Sequence, residues 1–245
     1  MTAGRSFSWE GDLIIQDTRI RHKRFVIGAP KKQISTDIRA WISFDDDIVM
    51  KEILKRLRDH EALPSSKEPG DFDRRAGIIW NYVATSIEYV HDTGEYKEGD
   101  FWFFPSETFA LRKGDCEDST FLLASLLIAS GISPFCVRVA LGEVFDGAGR
   151  SLGGHCWPVY KNERGRWCIL ESTLDTAPAV LPEADRLTSA GQAFRYLPYY
   201  CFNNRHLWET LPAETAPGEG VNIGKYLRVR KNRVDMRNHI GGEHG

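Results

Sequence analysis

Gly114-Asp115-Cys116-Glu117-Asp118-Ser119-Thr120 runs without a break into Phe121-Leu122-Leu123-Ala124-Ser125-Leu126-Leu127-Ile128-Ala129-Ser130-Gly131. The second part is apolar at nearly every position, so as a helix it has no solvent face and belongs inside a fold. Asp115 is a good N-cap, and Asp118 three places on completes a capping-box pattern. Gly131 suits the C-terminal stop. The stretch therefore predicts a fully buried helix whose first turn carries Cys116. There the positive end of the helix dipole favours thiolate over thiol, and backbone N–H groups without intrahelical partners are available to an oxyanion. Most buried cysteines are inert packing residues, but a packing cysteine more often sits deep in the Leu-rich part than beside three carboxylates.

Downstream, Gly153-Gly154-His155-Cys156-Trp157-Pro158-Val159-Tyr160 and Arg166-Trp167-Cys168-Ile169-Leu170-Glu171-Ser172-Thr173 flank the short polar stretch Lys161 to Gly165. The pattern predicts a β-hairpin. A turn centred near Glu163 sets His155 opposite, or within one residue of, Glu171, and regular strands put both on one sheet face. A lone histidine at a strand end is commonly just a hydrogen-bonded polar residue, but Gly153 and Gly154 beside it admit close approach of another element. A cysteine, a histidine and an acid in this order form a working acyl-transfer apparatus: the histidine pairs with or deprotonates the thiol, and the carboxylate fixes the imidazole tautomer.

These residues resemble the transglutaminase-like superfamily of papain-like cysteine enzymes: GDCEDS with Cys116, GGHCWPVY with His155, and W-x-x-L-E-S-T with Glu171. The helical pattern Asp73 to Val90 resembles the lead-in helix of that family, as does Phe101-Trp102 to Pro105-Ser106-Glu107-Thr108 before Arg112-Lys113-Gly114. The likeness spans roughly residues 73 to 175. GDCED and W-x-x-P-x-E-T look most like the bacterial transglutaminase-like cysteine proteinases. The resemblance implies an α+β fold, papain-like with a transglutaminase core, in which the helix opened by Cys116 packs on an antiparallel β-sheet. It implies catalysis by Cys116, His155 and Glu171, with Trp102 or Trp157 lining the acyl site or supplying an N–H donor, although core packing is the more ordinary work of a tryptophan. It also implies a possible calcium site at Asp115 and Glu117, because that branch includes a calcium-dependent periplasmic protease; a capped, solvated first turn explains the same two residues without metal. The acid differs from the usual Asp of the family, and Asp175 is a substitute lying off the hairpin.

Outward from the core, the pattern divides the chain into an N-terminal flank (1–70), the catalytic core (71–176) and a C-terminal extension (177–245). Asp12 to Ile20 and Arg39 to Phe44 read as extended pieces. Asp45, Asp46 and Asp47 suit the start of a helix reaching about His60. Leu63 to Gly70 reads as a loop. A charged loop spans His91 to Asp100. Beyond Thr176 the prolines 178, 182, 212 and 217 interrupt order, and Phe194 to Trp208 is an aromatic candidate strand. The tail from Lys225 is basic and reads as a solvated terminus or a grip for an acidic partner.

The 245 residues are 42% hydrophobic and 27% charged, too apolar for intrinsic disorder. A net charge of −2 argues against a dedicated nucleic-acid binder. No run approaches the roughly 18 apolar residues of a membrane span, and Met1 to Ile15 lacks the pattern of a secretory signal. With five cysteines, Cys116, Cys136, Cys156, Cys168 and Cys201, and no CxxC pair, a reducing, cytoplasmic setting is the expectation. Zinc held by His155 with Cys156, Cys168 or Cys116 lacks the ligand spacing of a structural site. The sequence thus points to an acyl-enzyme at Cys116 acting on a protein or peptide substrate. Water as acceptor makes it a peptidase or amidase, which the motif likeness favours; an amine makes it a protein-crosslinking transglutaminase. An inactive binding or assembly module on the same fold is the third reading.

Overall fold

A computed structural model describes residues 7–43, 48–91, 101–184, 193–210 and 234–240. Asp45, Asp46 and Asp47, the loop after His91, Pro212, Pro217 and most of the basic tail lie outside the described residues. The architecture is α+β: a six-stranded antiparallel sheet with one long buried helix laid against it.

The helices α1 (Ile48–Glu61) and α2 (Asp71–Ser86) bury Met50, Ile53, Leu54 and Leu57, and Ala76, Ile79, Trp80 and Val83, at helical spacing. The α2 helix stops at Ser86, short of Val90, because Ile87 turns extended and Glu88–Tyr89 forms strand β4, pairing in parallel with β5 (Lys113–Gly114). A short helix, α3 (Pro105–Leu111), follows the aromatic run Phe101 to Phe104. Then comes α4 (Cys116–Ala129), buried at nearly every residue. Its terminators match the sequence pattern. Asp115 Oδ1 accepts the Glu117 N–H at 3.1 Å, and Asp118 Oδ2 accepts the Asp115 N–H at 3.1 Å. At the far end Gly131 takes φ +96°, while its N–H bonds to Ile128 O and that of Ile132 to Leu127 O.

Strand β1 (Leu13–Gln16) lies at one edge of the main sheet. A separate hairpin, β2 (Arg21–Val26) with β3 (Ala29–Asp37), was not legible in its Lys- and Arg-rich sequence. Arg39 to Phe44, read as extended, instead opens in a 3-10 turn over Ile38–Trp41, because the Asp37 carboxylate accepts the Arg39 N–H at 3.0 Å and caps it. The remaining strands are β6 (Val137–Asp146), β7 (Ser151–Lys161), β8 (Trp167–Ile169), β9 (Phe194–Phe202) and β10 (Leu207–Thr210). They are ordered β1-β10-β9-β6-β7-β8, so strands from both flanks enter the core sheet. One sheet face packs with α4 through Val139, Leu141, Cys156 and Tyr160. The other carries Trp9, Trp157, Val159, Trp167, Tyr196, Trp208 and Met236. No helix among the described residues is long and apolar enough to cross a membrane.

Candidate active site

The site forms where the first turn of α4 meets the edge of β7. The β7–β8 register pairs Val159 with Ile169 and Tyr160 with Cys168. Continued, it would set Glu171 across from Trp157, not from His155. The pair is thus offset by two residues, one more than the sequence reading allows. The even offset keeps both on one face, and the extra methylene of Glu over Asp helps close the gap. His155 Nε2 lies 2.9 Å from Glu171 Oε2, with both residues buried. An ionised carboxylate only accepts, so Nε2–H is the donor and Nδ1 carries the lone pair. Nδ1 is buried and has no hydrogen-bond partner among the described residues.

Glu171 is the hub of this cluster. Its Oε1 accepts the Thr173 N–H (3.1 Å) and hydroxyl (2.7 Å), and Oε2 also accepts the Tyr196 hydroxyl at 2.9 Å. Burial pushes the carboxyl up, but the charge and hydrogen bond of His155, with the two Thr173 donors, outweigh it and hold Glu171 below its ordinary range. The Tyr196 phenol is driven well up by burial and by Glu171, so it stays a neutral donor. The Trp80 indole N–H fixes the Glu171 carbonyl at 2.8 Å, and Ser172 Oγ bonds both Ser119 Oγ and Thr120 Oγ1 of α4. These hydroxyls lash the acid-bearing segment to the helix that carries the thiol. Tyr196, Thr173 and Trp80 were missed in the sequence; the E-S-T run around Glu171 was the visible trace of this network.

Cys116 is fully buried. Its Sγ lies 2.8 Å from Glu117 Oε2, and no hydrogen bond links it to His155. Burial, then the Glu117 charge and hydrogen bond, push the thiol well above its ordinary range, while the Cys156 backbone N–H pulls weakly the other way. This opposes the preference for thiolate that a helix N-terminus alone confers: desolvation and an adjacent carboxylate outweigh the dipole. The Cys156 contact nevertheless sets the sulfur against β7 one residue from His155.

Trp157 stacks on His155, with centroids 5.9 Å apart, and its buried indole N–H has no partner among the described residues. Trp102 lies elsewhere, stacked on His22 at 4.0 Å and edge-on to Trp41 and Phe121. Asp175 is not joined to the dyad; it meets Arg237 at 3.6 Å. Asp115, Cys116 and Glu117 bring one ligand atom each within 4.8 Å of one another. Calcium takes six to eight oxygens. Among the described residues, two carboxylates and a sulfur, with Glu117 engaged by the thiol, would supply only part of that shell.

A helix opened by a buried cysteine against an antiparallel sheet is the papain-like α+β arrangement of the transglutaminase core. Residues 63–172 match the family model of the transglutaminase-like superfamily. Among solved structures, EGTA-treated LapG of Legionella pneumophila is 18% identical, covering 74% of this chain and 96% of that one, with a TM-score of 0.47. Calcium-bound LapG is 17% identical, covering 73% and 97%, with a TM-score of 0.45. A Cytophaga hutchinsonii protein provisionally assigned as a cysteine protease is 13% identical, covering 91% and 87%, with a TM-score of 0.39. No curated protein sequence matches the chain.

Proposed function

We propose that the chain is a cysteine-dependent acyl-transfer enzyme that hydrolyses amide bonds of protein or peptide substrates through a thioester at Cys116. The observation that carries this reading is the buried His155–Glu171 pair, whose imidazole keeps a lone pair at Nδ1 with nothing bonded to it. In this reading the Cys116 side chain leaves Glu117 and its S–H pairs with that lone pair. Nδ1 takes the thiol proton as sulfur attacks the substrate carbonyl. The tetrahedral intermediate collapses with cleavage of the C–N bond, and the imidazolium gives its proton to the departing amine. Water, deprotonated by the same imidazole, then releases the acid. Glu171 holds the tautomer and offsets the charge on His155. The N–H groups at the α4 terminus are candidates for the oxyanion, and the unpaired Trp157 indole N–H is a further donor beside His155.

An amine in place of that water gives transamidation by the same thioester. A binding module is favoured by one observation, the engagement of the Cys116 thiol by Glu117 rather than by His155. Five free cysteines support a reducing compartment such as the cytoplasm, and calcium at Asp115 and Glu117 is tested by adding it or EGTA during a thermal melt. The deciding experiment is acid quenching during turnover of a peptide substrate, followed by mass spectrometry of Cys116. An acyl adduct at Cys116 that is absent in Cys116→Ala, with activity lost, supports the reading; an active Cys116→Ala sinks it.

A further inference from the structure

The edge of β7 beside His155 is only partly paired. The strand runs from Ser151 to Lys161, yet β8 covers just Val159 to Lys161. Beyond that point the carbonyls facing this edge are taken one by one from different elements. Pro158 O accepts the Leu170 N–H at 3.0 Å, Cys156 O the Thr120 hydroxyl at 3.2 Å, and Gly154 O the Val234 N–H at 3.2 Å. The last of these is a main-chain bond, from a C-terminal segment, on the residue preceding His155.

That segment touches the neighbourhood of each of the three candidate catalytic residues. Beside Cys116, the Val234 carbonyl accepts the Tyr89 hydroxyl at 3.5 Å, and Tyr89 pairs with Gly114. Arg237 adds to this by covering the Tyr89 ring at 4.7 Å and donating to its carbonyl at 3.3 Å. Beside His155, Val234 and Met236 are buried in the same cluster as Trp157 and Tyr196, whose rings lie 5.9 and 6.1 Å from the imidazole. Beyond Glu171, Arg237 meets Asp175. Cys116 and His155 are 0% exposed and Glu171 4%, so no substrate reaches them in this arrangement.

Resting on the acyl-transfer reading above, we propose that Val234 to Arg237 occupies the β7 edge where an extended polypeptide substrate adds by main-chain pairing, so that the chain holds its own site shut. Adding a strand to an open sheet edge is a general mode of peptide recognition: main-chain bonds hold the peptide, and pockets read its alternate side chains. The pockets filled by Val234 and Met236 are apolar, so the substrate class is an extended segment with apolar residues two apart. Release breaks no pairing within the six-stranded sheet: the segment is held by the Val234–Gly154 main-chain bond, by burial of Val234 and Met236, and by Arg237, which is partly exposed and meets the exposed Asp175.

The test is site-resolved iodoacetamide alkylation of the full-length protein, with the buried Cys201 as internal control for global unfolding. Arg237→Glu is expected to raise the Cys116 rate by about tenfold while leaving Cys201 unchanged, as a shift from closed to open states requires. A synthetic peptide of residues 232–242, added in trans, is expected to return the Cys116 rate of Arg237→Glu toward wild type, whereas a scrambled peptide is not. An unchanged Cys116 rate, or one rising only in step with Cys201, overturns the closure. Absence of protection by the peptide overturns the edge as a polypeptide site. Alkylation reads access rather than turnover, so either failure is distinct from an active Cys116→Ala, which would refute the acyl-transfer reading instead.

Discussion

Glu171 is a buried acid whose oxygens accept from His155, Thr173 and Tyr196. Replacing it with Gln keeps the shape, but the amide no longer offsets an imidazolium, and its NH2 end on the Oε2 side donates to Nε2 and favours the opposite imidazole tautomer. Glu171→Gln is expected to lower kcat by about 10²–10⁴-fold, because a misoriented His155 forfeits what a well-positioned base supplies, with a smaller change in KM. The same carboxylate makes stability depend on pH in a determinate direction. Its folded pKa lies below the unfolded value of 4.5, so its contribution is present above that value and is lost as pH falls through the folded one. Urea midpoints of wild type and Glu171→Gln should therefore converge as pH falls below the unfolded value of 4.5; a gap that stays constant contradicts the pairing. At Cys116 the opposite shift operates. Burial and Glu117 hold the thiol protonated, so in wild type it should alkylate more slowly at pH 8 than the half-buried Cys136, against the ordering expected from the helix end alone.

Helix α4 was legible almost residue for residue because its signals are local: a capping aspartate pair, an unbroken apolar run and a glycine stop all act within one or two turns. The β7–β8 hairpin was legible in kind but not in register. Its offset depends on how Leu170 and Ser172 bond to β7 and α4, contacts that no turn residue encodes. The end of α2 was misread for the same reason, since β4 exists only by pairing with β5, reached through a long intervening segment. The β6–β9 ladder carries another such feature. The register slips between Leu141 and Gly142, and a methyl on Gly142 would meet Leu197 O at 2.1 Å and Pro198 Cα at 2.8 Å. Both are backbone atoms that cannot swing aside. Gly142 also pairs with His155 across β6–β7. Gly142→Ala is thus expected to destabilise by about 1–3 kcal/mol and to lower activity by shifting the strand next to His155, read by denaturant titration together with kcat. A variant of wild-type stability would show that the bulge yields freely.

Across the whole molecule, the flanks, expected from sequence to complete the sheet or shape the substrate cleft, supply strands of one sheet. Strand β10 bridges β1 and β9, and β9 bridges β10 and β6, so residues from near both ends close on the central pair. The sheet face away from α4 is covered the same way, with Phe7 and Trp9 from the N-terminal flank packing beside Trp208 and Met236 from the C-terminal side. The extended character of Asp12 to Ile20 and of Phe194 to Trp208 was readable locally, but their pairing was not, because β1 is four residues long with Ile14 and Ile15 exposed, and its partner β10 lies far along the chain. If the flanks only decorated the core, β1 and β10 would open independently. The pairing argues otherwise: losing β10 bares β9, and losing β9 bares one side of β6, whose other side carries the strand of His155. Hydrogen exchange of the full chain in rising denaturant should therefore show peptides from β1, β10, β6 and β7 losing protection together, as one cooperative unit. Opening of β1 and β10 at a free energy lower by more than about 2 kcal/mol than β6 and β7 would instead make the core a unit that stands without its flanks.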